Sequence, residues 1–281
     1  MSDSDEATPG AAPIAAVVQM TSGPDVDETL AAAATHGAAA AAAGAEIAVL
    51  PENFACVPQR EIDRLGAAEP DGAGPIQSFL ADQAAAHRLT IVGGTIPLQA
   101  TPGRVSASCL VYDRDGRRRA RYDKIHLCDV AVPGSREAYR ESDAIAHGDT
   151  TVVVDSPVGQ LGLAVCYDLR FPELFRRLLA DGVEVVALPS AFTATTGEAH
   201  WDLLVRARAV ENLCWVLAAA QQGRHPNGRE THGHSMIVDP WGRVAARLPT
   251  GTGIATAAVD RDVLVSLRRS FPALSHRRLQ G

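Results

Sequence analysis

Three features of the chain predict an α/β architecture. Short β-rich apolar runs alternate with helical stretches, the alternation fills two halves of similar rhythm with inserted hairpins, and no Pro/Gly/Ser-rich linker parts the halves. Together they predict one α/β domain over residues 13–281 whose sheets are covered by helices. An acidic, polar tail over residues 1–12 precedes it and reads as disordered. If the two halves stack their sheets face to face, the product is a four-layer sandwich.

The elements follow in order. Residues 14–20 are an apolar, β-rich run. Residues 25–44 are dense in alanine and poor in breakers, which is helix composition, with low complexity as the competing reading. Small side chains would let such a helix lie close to a sheet. The next strand covers 46–50 and ends at Pro51-Glu52. A helix is expected over 75–88, a strand over 90–96, and a hairpin pairing 106–113 with 118–122 around Asp115-Gly116. Residues 128–148 are expected to be a long loop. Residues 151–155 and 161–165 then pair through Pro157-Val158-Gly159, and Pro172 opens a helix to residue 180. A strand over 183–188, a helix over 198–212 and a strand over 214–220 come next. A third hairpin joins 232–239 to 243–248 through Pro240-Trp241-Gly242. A strand over 254–259 and a helix to Arg269, capped by Asp260, complete the order. Trp201 and Trp215 read as core aromatics.

Composition excludes several classes. The chain has 281 residues, 46% hydrophobic and 21% charged, enough for a large core. Its formal charge of −7 argues against nucleic acid or an anionic membrane as partner. No apolar run reaches the ~20 residues that a membrane helix needs. The N-terminus lacks the basic-then-apolar build of a signal peptide. Cys56, Cys109, Cys128, Cys166 and Cys214 are an odd set without paired spacing, which fits reduced thiols in the cytoplasm. His225, His232 and His234 cluster, but His232 and His234, on one face of a strand, are read as lacking a nearby acid or thiol ligand, and no metal site is expected.

Chemistry concentrates at strand ends. Cys166 lies in GLAVCYDLRFPE, between a buried strand and a Pro-started helix, where backbone N–H groups can hold an oxyanion. A nucleophile fits that setting; so does a small buried hydrophobe. No Cys-Gly-[SA]-Cys-[WY] run is present. Arg170 follows Cys166 by four positions, too close for a thiol-phosphatase loop. Glu52 closes the strand in AEIAVLPENF, and Lys124 follows the hairpin in RYDKIHLCD. Each borders apolar sequence, where a charge is costly unless paired; taken singly, either also reads as a strand-end charge facing water.

In that order, PENF, YDKIHL-D and GLAVCYD-RFPE resemble the signature elements of the nitrilase superfamily of carbon–nitrogen hydrolases. The resemblance covers residues 14 to about 280. It implies an α-β-β-α sandwich, a homodimer or homotetramer, and a Glu-Lys-Cys triad that needs no metal or organic cofactor. Carried onto this sequence, Glu52 is the general base, Lys124 the charge stabiliser and Cys166 the nucleophile. Glu141 in YRESD matches the second glutamate of the family, and the Tyr167 backbone N–H is a candidate oxyanion donor. Lys124 and the backbone N–H groups are expected to lower the thiol pKa while Glu52 takes the proton.

Further on, AAAQQGRH, GHSMIVDPWG and LRRSFPALSHRR resemble the Nit branch, amidases of ω-amides of α-keto acids, and within it deaminated glutathione amidase. That resemblance implies hydrolysis of a small keto-acid amide to α-ketoglutarate and cysteinylglycine, with α-ketoglutaramate, α-ketosuccinamate or an N-carbamoyl compound as alternative substrates. Such an anion needs cations. Arg170 is the candidate, an ion pair with Glu173 or Asp168 being its competing role. Thr193 and Thr195, expected in a loop, are further candidates for the pocket.

Overall fold

The computed structural model describes residues 11–132 and 138–279. The expected tail over 1–12 therefore falls almost wholly outside the described residues. Strands β1 (Ile14–Gln19), β2 (Ala45–Val49), β3 (Thr90–Val92), β4 (Ile96–Gln99), β5 (Val105–Tyr112) and β6 (Arg118–Asp123) build most of one sheet. A ribbon of β7 (Asp129–Ala131) and β8 (Ala138–Arg140) follows, and β9 (Ile145–Ala146) returns beside β5. The second sheet takes β10 (Val153–Ser156), β11 (Gly159–Leu163), β12 (Val185–Ser190) and β13 (Trp215–Ala220). A small ribbon, β14 (Gln222–Arg224) and β15 (Glu230–His232), comes before β16 (Ser235–Val238), β17 (Val244–Leu248) and β18 (Gly253–Ala258).

The first sheet runs β18-β1-β2-β3-β5-β4 and the second β10-β11-β12-β13-β16-β17. Each has a parallel centre, β1-β2-β3 and β11-β12-β13, with antiparallel flanks. Strands buried on both faces read as near-continuous apolar runs, and alternation then divides them between two cores. In β1, Ala15 and Val17 face the core shared with the second sheet, whereas Ala16 and Val18 face an outer core. That outer core is closed by α1 (Val26–Ala42) and α2 (Pro75–His87) through Ala33, Ala40, Ile76 and Leu80. On the far side, α3 (Pro172–Ala180) and α4 (Ala194–Asn212) cover the second sheet through Leu174, Phe175, Trp201 and Val205. The fold is the expected α-β-β-α sandwich. The alanine-rich stretch is a packed helix: Asp25 caps it by accepting the Glu28 N–H, and alanines line its buried face. The final helix, α5 (Arg261–Ser270), starts at the Asp260 cap as expected. Trp201 and Trp215 are buried, each indole N–H donating to a backbone carbonyl.

Four boundaries depart from expectation. The strand expected over 90–96 divides at Gly93-Gly94. Gly94 has φ +52°, and a Cβ there would lie 2.1 Å from the Pro51 carbonyl oxygen, so the break lets two strand ends meet beside Glu52. The stretch over 128–148 is not all loop, since it carries β7, β8, a 3-10 turn at Glu141–Asp143 and β9. Strand 232–239 is interrupted where Gly233 and His234 take positive φ. Helix α4 starts four residues before the expected 198, because Thr193 caps it by accepting the Thr196 N–H.

Candidate active site

The parallel strands of both sheets end at one rim, where crevices of such sheets hold ligands. Glu52 lies just past β2, Lys124 just past β6, and Cys166 just past β11. The rim is stitched across the sandwich: the Gln222 N–H donates to the Met20 carbonyl, and Gln221 Nε2 donates to the Glu52 carbonyl at 3.0 Å.

The three residues converge. Lys124 Nζ lies 2.7 Å from Glu52 Oε1 and 2.8 Å from Glu141 Oε2, and the three residues are almost out of solvent, at 1%, 3% and 8% exposure. Glu141 sits on the 3-10 turn after β8, and the Cys128 N–H donates to its Oε2. Burial works against charge on Glu141 and on Lys124. For Glu141, Lys124 and the Cys128 N–H outweigh it and hold the pKa below the ordinary carboxylate value. For Lys124, Glu141 and Glu52 outweigh it and hold the ammonium charged. The cluster is thus an ammonium shared by two carboxylates.

Cys166 begins a 3-10 turn, Cys166–Arg170, with φ +45°. A non-glycine residue in that region costs of order 1–3 kcal/mol, and such strain gathers at functional sites. The first hydrogen bond of the turn runs from the Asp168 N–H to the Val165 carbonyl. The Cys166 and Tyr167 N–H groups precede it and have no acceptor within the turn. The Ala191 N–H, just past β12, points at Cys166 Sγ from 3.4 Å. The thiol pKa departs from expectation. Burial, then the Glu52 carboxylate, push it well above the ordinary value, and Lys124 recovers only part. These surroundings favour the thiol over the thiolate.

Asp168 holds the turn against the lysine hairpin. It is fully buried, and its carboxylate accepts from Tyr122 Oη at 2.7 Å, the Val165 N–H at 2.8 Å and the His126 N–H at 3.0 Å. His126 Nδ1 also lies 2.7 Å away, and its ring stacks on Phe171 at 3.8 Å. Tyr122 and His126 flank Lys124, so one carboxylate fixes where lysine and sulfur stand relative to each other.

A cavity of about 260 Å³ opens above the sulfur. Arg170 lines it, with its guanidinium over the Tyr167 and Phe192 rings and Nη1 3.2 Å from His200 Nδ1. The alternative ion pair with Asp168 or Glu173 is not formed. Thr193 lines the cavity, but Thr195 does not: it is exposed on the other side of α4, and Thr196 stands in its place. The reason is periodicity, since a helix starting at Ala194 puts 193, 196 and 200 on one face, whereas a loop reading spaced the threonines by two. His225 bonds Ser22 and Thr231, while the His232 and His234 rings stack on each other. Sequence reasoning missed Asp168 as an anchor, together with Thr196, His200 and Arg229. The last stands between two motifs, AAAQQGRH and GHSMIVDPWG, with nothing local to mark it.

A thiol lining the cavity, backed by an ammonium shared between two carboxylates and by free N–H groups, can perform acyl transfer from an amide to water. The carbon-nitrogen hydrolase family model matches residues 14–269. The deaminated glutathione amidase of Synechocystis sp. is 40% identical over 94% of this chain and 97% of its own. The human deaminated glutathione amidase is 38% identical over 95% of this chain and 82% of its own. Saccharomyces cerevisiae Nit3, described as a member of branch 10 of the nitrilase superfamily, superposes with a TM-score of 0.86 at 29% identity, covering 96% of this chain and 97% of that one. Sandwich, rim geometry and relatives agree: this chain belongs to the carbon-nitrogen hydrolase family.

Proposed function

We propose that the chain is a cysteine-dependent amidase that hydrolyses deaminated glutathione to α-ketoglutarate and cysteinylglycine, with Glu52, Lys124 and Cys166 as its triad. The observation that carries the chemistry is the sharing of one buried ammonium between Glu52 and Glu141 beside the Cys166 thiol. Glu52 takes the thiol proton as sulfur bonds to the amide carbon. Lys124 and the Tyr167 N–H then stabilise the oxyanion, a contact worth ~3 kcal/mol per donor in related chemistry. The C–N bond breaks as Glu52 gives its proton to the departing amine, leaving a thioester. Water, deprotonated by Glu52, cleaves the thioester and frees the carboxylic acid and the thiol. Glu141 keeps Lys124 in place while Glu52 changes charge. The cycle uses neither metal nor organic cofactor.

The substrate half of the reading is supported by the relatives' names and by the cations of the cavity. Arg170 binds the keto-acid carboxylate, aided by Thr193 and Thr196. The test compares cysteinylglycine release from deaminated glutathione with ammonia release from α-ketoglutaramate. The first is expected to have the higher kcat/KM; ammonia release ahead by more than tenfold would reassign the protein as an ω-amidase. We also propose one hydrolase domain over 13–281 in a cytoplasmic homodimer or homotetramer. The five free thiols and the exposed Leu203, Val210, Trp241 and Phe271 support it, and sedimentation equilibrium tests the assembly.

A further inference from the structure

Two guanidiniums line the cavity, and neither has a carboxylate within ion-pair distance among the described residues. They stand on different walls. Arg170 belongs to the nucleophile turn and leans toward α4 through His200. Arg229 belongs to the turn between β14 and β15, which is tied to the segments around Glu52. His225 Nδ1 lies 2.8 Å from the Ser22 carbonyl, Asn227 Nδ2 donates to the Pro58 carbonyl at 2.8 Å, and Gln221 reaches the Glu52 carbonyl. Ser22 Oγ in turn donates to the Phe54 carbonyl at 2.8 Å. Arg229 is thus on the side of the general base.

Its guanidinium is held but not satisfied. Nη2 donates to the Ala191 carbonyl at 2.5 Å, and Cζ stands 4.8 Å from the Tyr139 ring centre. Nε is sealed from solvent without a hydrogen-bond partner. A cation kept this way costs desolvation that a bound anion would recover. Ala191 also joins Arg229 to the sulfur, since its N–H points at Cys166 and its carbonyl at Arg229. Backbone dimensions then place the guanidinium within roughly 10 Å of Sγ. A second cavity, about 230 Å³, has Arg229 and Tyr139 as a shared wall, giving room beyond them.

The reaction assigns the ends of the substrate. The departing nitrogen must receive its proton from Glu52, so the leaving half extends along Glu52's side. The acyl half then occupies the opposite wall, with Arg170. A departing cysteinylglycine ends in a carboxylate, and two residues reach at most about 7 Å. Resting on the function proposed above, we propose that Arg229 is the specificity-determining residue that binds the terminal carboxylate of the departing peptide amine. It separates peptide-like amides of α-ketoglutarate from simple ones that release ammonia.

The test measures kcat/KM for wild type, Arg229→Met, Arg229→Lys and Arg170→Met on three substrates. These are deaminated glutathione, the same molecule with its glycine carboxylate converted to a carboxamide, and α-ketoglutaramate. For wild type, the carboxamide should be about 10- to 100-fold poorer than the acid, the range for a hydrogen bond to a charged group. Arg229→Met should erase that ratio, mainly through KM, and should lose at least tenfold more on deaminated glutathione than on α-ketoglutaramate. Arg229→Lys should restore part of the ratio, and Arg170→Met should weaken all three substrates together. An acid-to-carboxamide ratio unchanged in Arg229→Met overturns the inference and leaves the amidase reading standing. Should Arg229→Met fail to fold, equal wild-type turnover of acid and carboxamide overturns it instead. No turnover of any of the three by wild type sinks the amidase reading and the inference with it.

Discussion

The floor and the walls of the cavity are built on opposite principles. On the floor, each charge is buried and matched: Lys124 lies between two carboxylates, and Asp168 accepts from both sides of the lysine hairpin. On the walls, two guanidiniums rest on aromatic rings, that of Arg229 also on a carbonyl, without a carboxylate partner among the described residues. The floor's charges are matched within the fold, whereas those of the walls are not. A matched buried cluster sets geometry for chemistry, and an unmatched cation sets affinity for an incoming anion.

The comparison breaks most severely at Lys124. Lys124→Met leaves Glu52 and Glu141 facing each other in a buried site, so a loss of about 3–5 kcal/mol in urea-induced unfolding is expected, with turnover abolished. Normal stability in that variant would mean that the floor is not an obligate charge cluster. Asp168→Asn comes next. The amide places donors against the Tyr122 hydroxyl or the backbone N–H groups, costing about 2–3 kcal/mol. As a positioning residue it should lower kcat about 10- to 100-fold with little change in KM, since lysine and sulfur drift apart. A loss in KM alone would move Asp168 from floor to wall.

Sharper still is the alkaline limb of stability. Burial raises the Cys128 thiol to about 11 and the Cys214 thiol to about 12, each above the ordinary 9.0. A raised acid pKa in the fold means that the unfolded chain sheds these protons first. The stabilisation is whole below about pH 9 and declines as pH rises toward the folded values. Each thiol that stays protonated contributes a slope of about 1.4 kcal/mol per pH unit. Thermal melts from pH 8 to 11 should show a falling Tm, less steeply in Cys214→Ala. The smallest effect belongs to Thr195→Ala, expected within twofold in kcat/KM and about 0.5 kcal/mol in stability, because the side chain faces solvent. A larger loss would bring the outer face of α4 into the site.

What could be read from the chain divides along the same line. The floor residues end apolar strands, and a charge or thiol at the close of such a run is visible in one dimension. Glu52, Lys124 and Cys166 were readable for that reason, whereas Glu141, on a turn after a short exposed strand, came only through the family resemblance. The walls depend on where distant segments meet. Arg229 is placed by bonds from its turn to Ser22 and Pro58, some 200 and 170 positions away, which no local pattern encodes. Thr195 was misassigned because Ala-Thr-Thr-Gly carries little helical propensity, and the cap at Thr193 starts the helix regardless. The raised thiol pKa of Cys166 was hidden too, since burial is its largest cause and burial is a property of the assembled sandwich.

The backbone twist at Cys166 bears on how such a protein could age in evolution. Glycine adopts φ +45° without penalty, so Cys166→Gly should relieve about 1 kcal/mol of strain while removing the sulfur. That relief offsets part of what the lost packing of the buried sulfur costs, so inactivation at this position is cheap in stability. A chain without the sulfur can therefore keep a well-folded shell with its pocket and its cations.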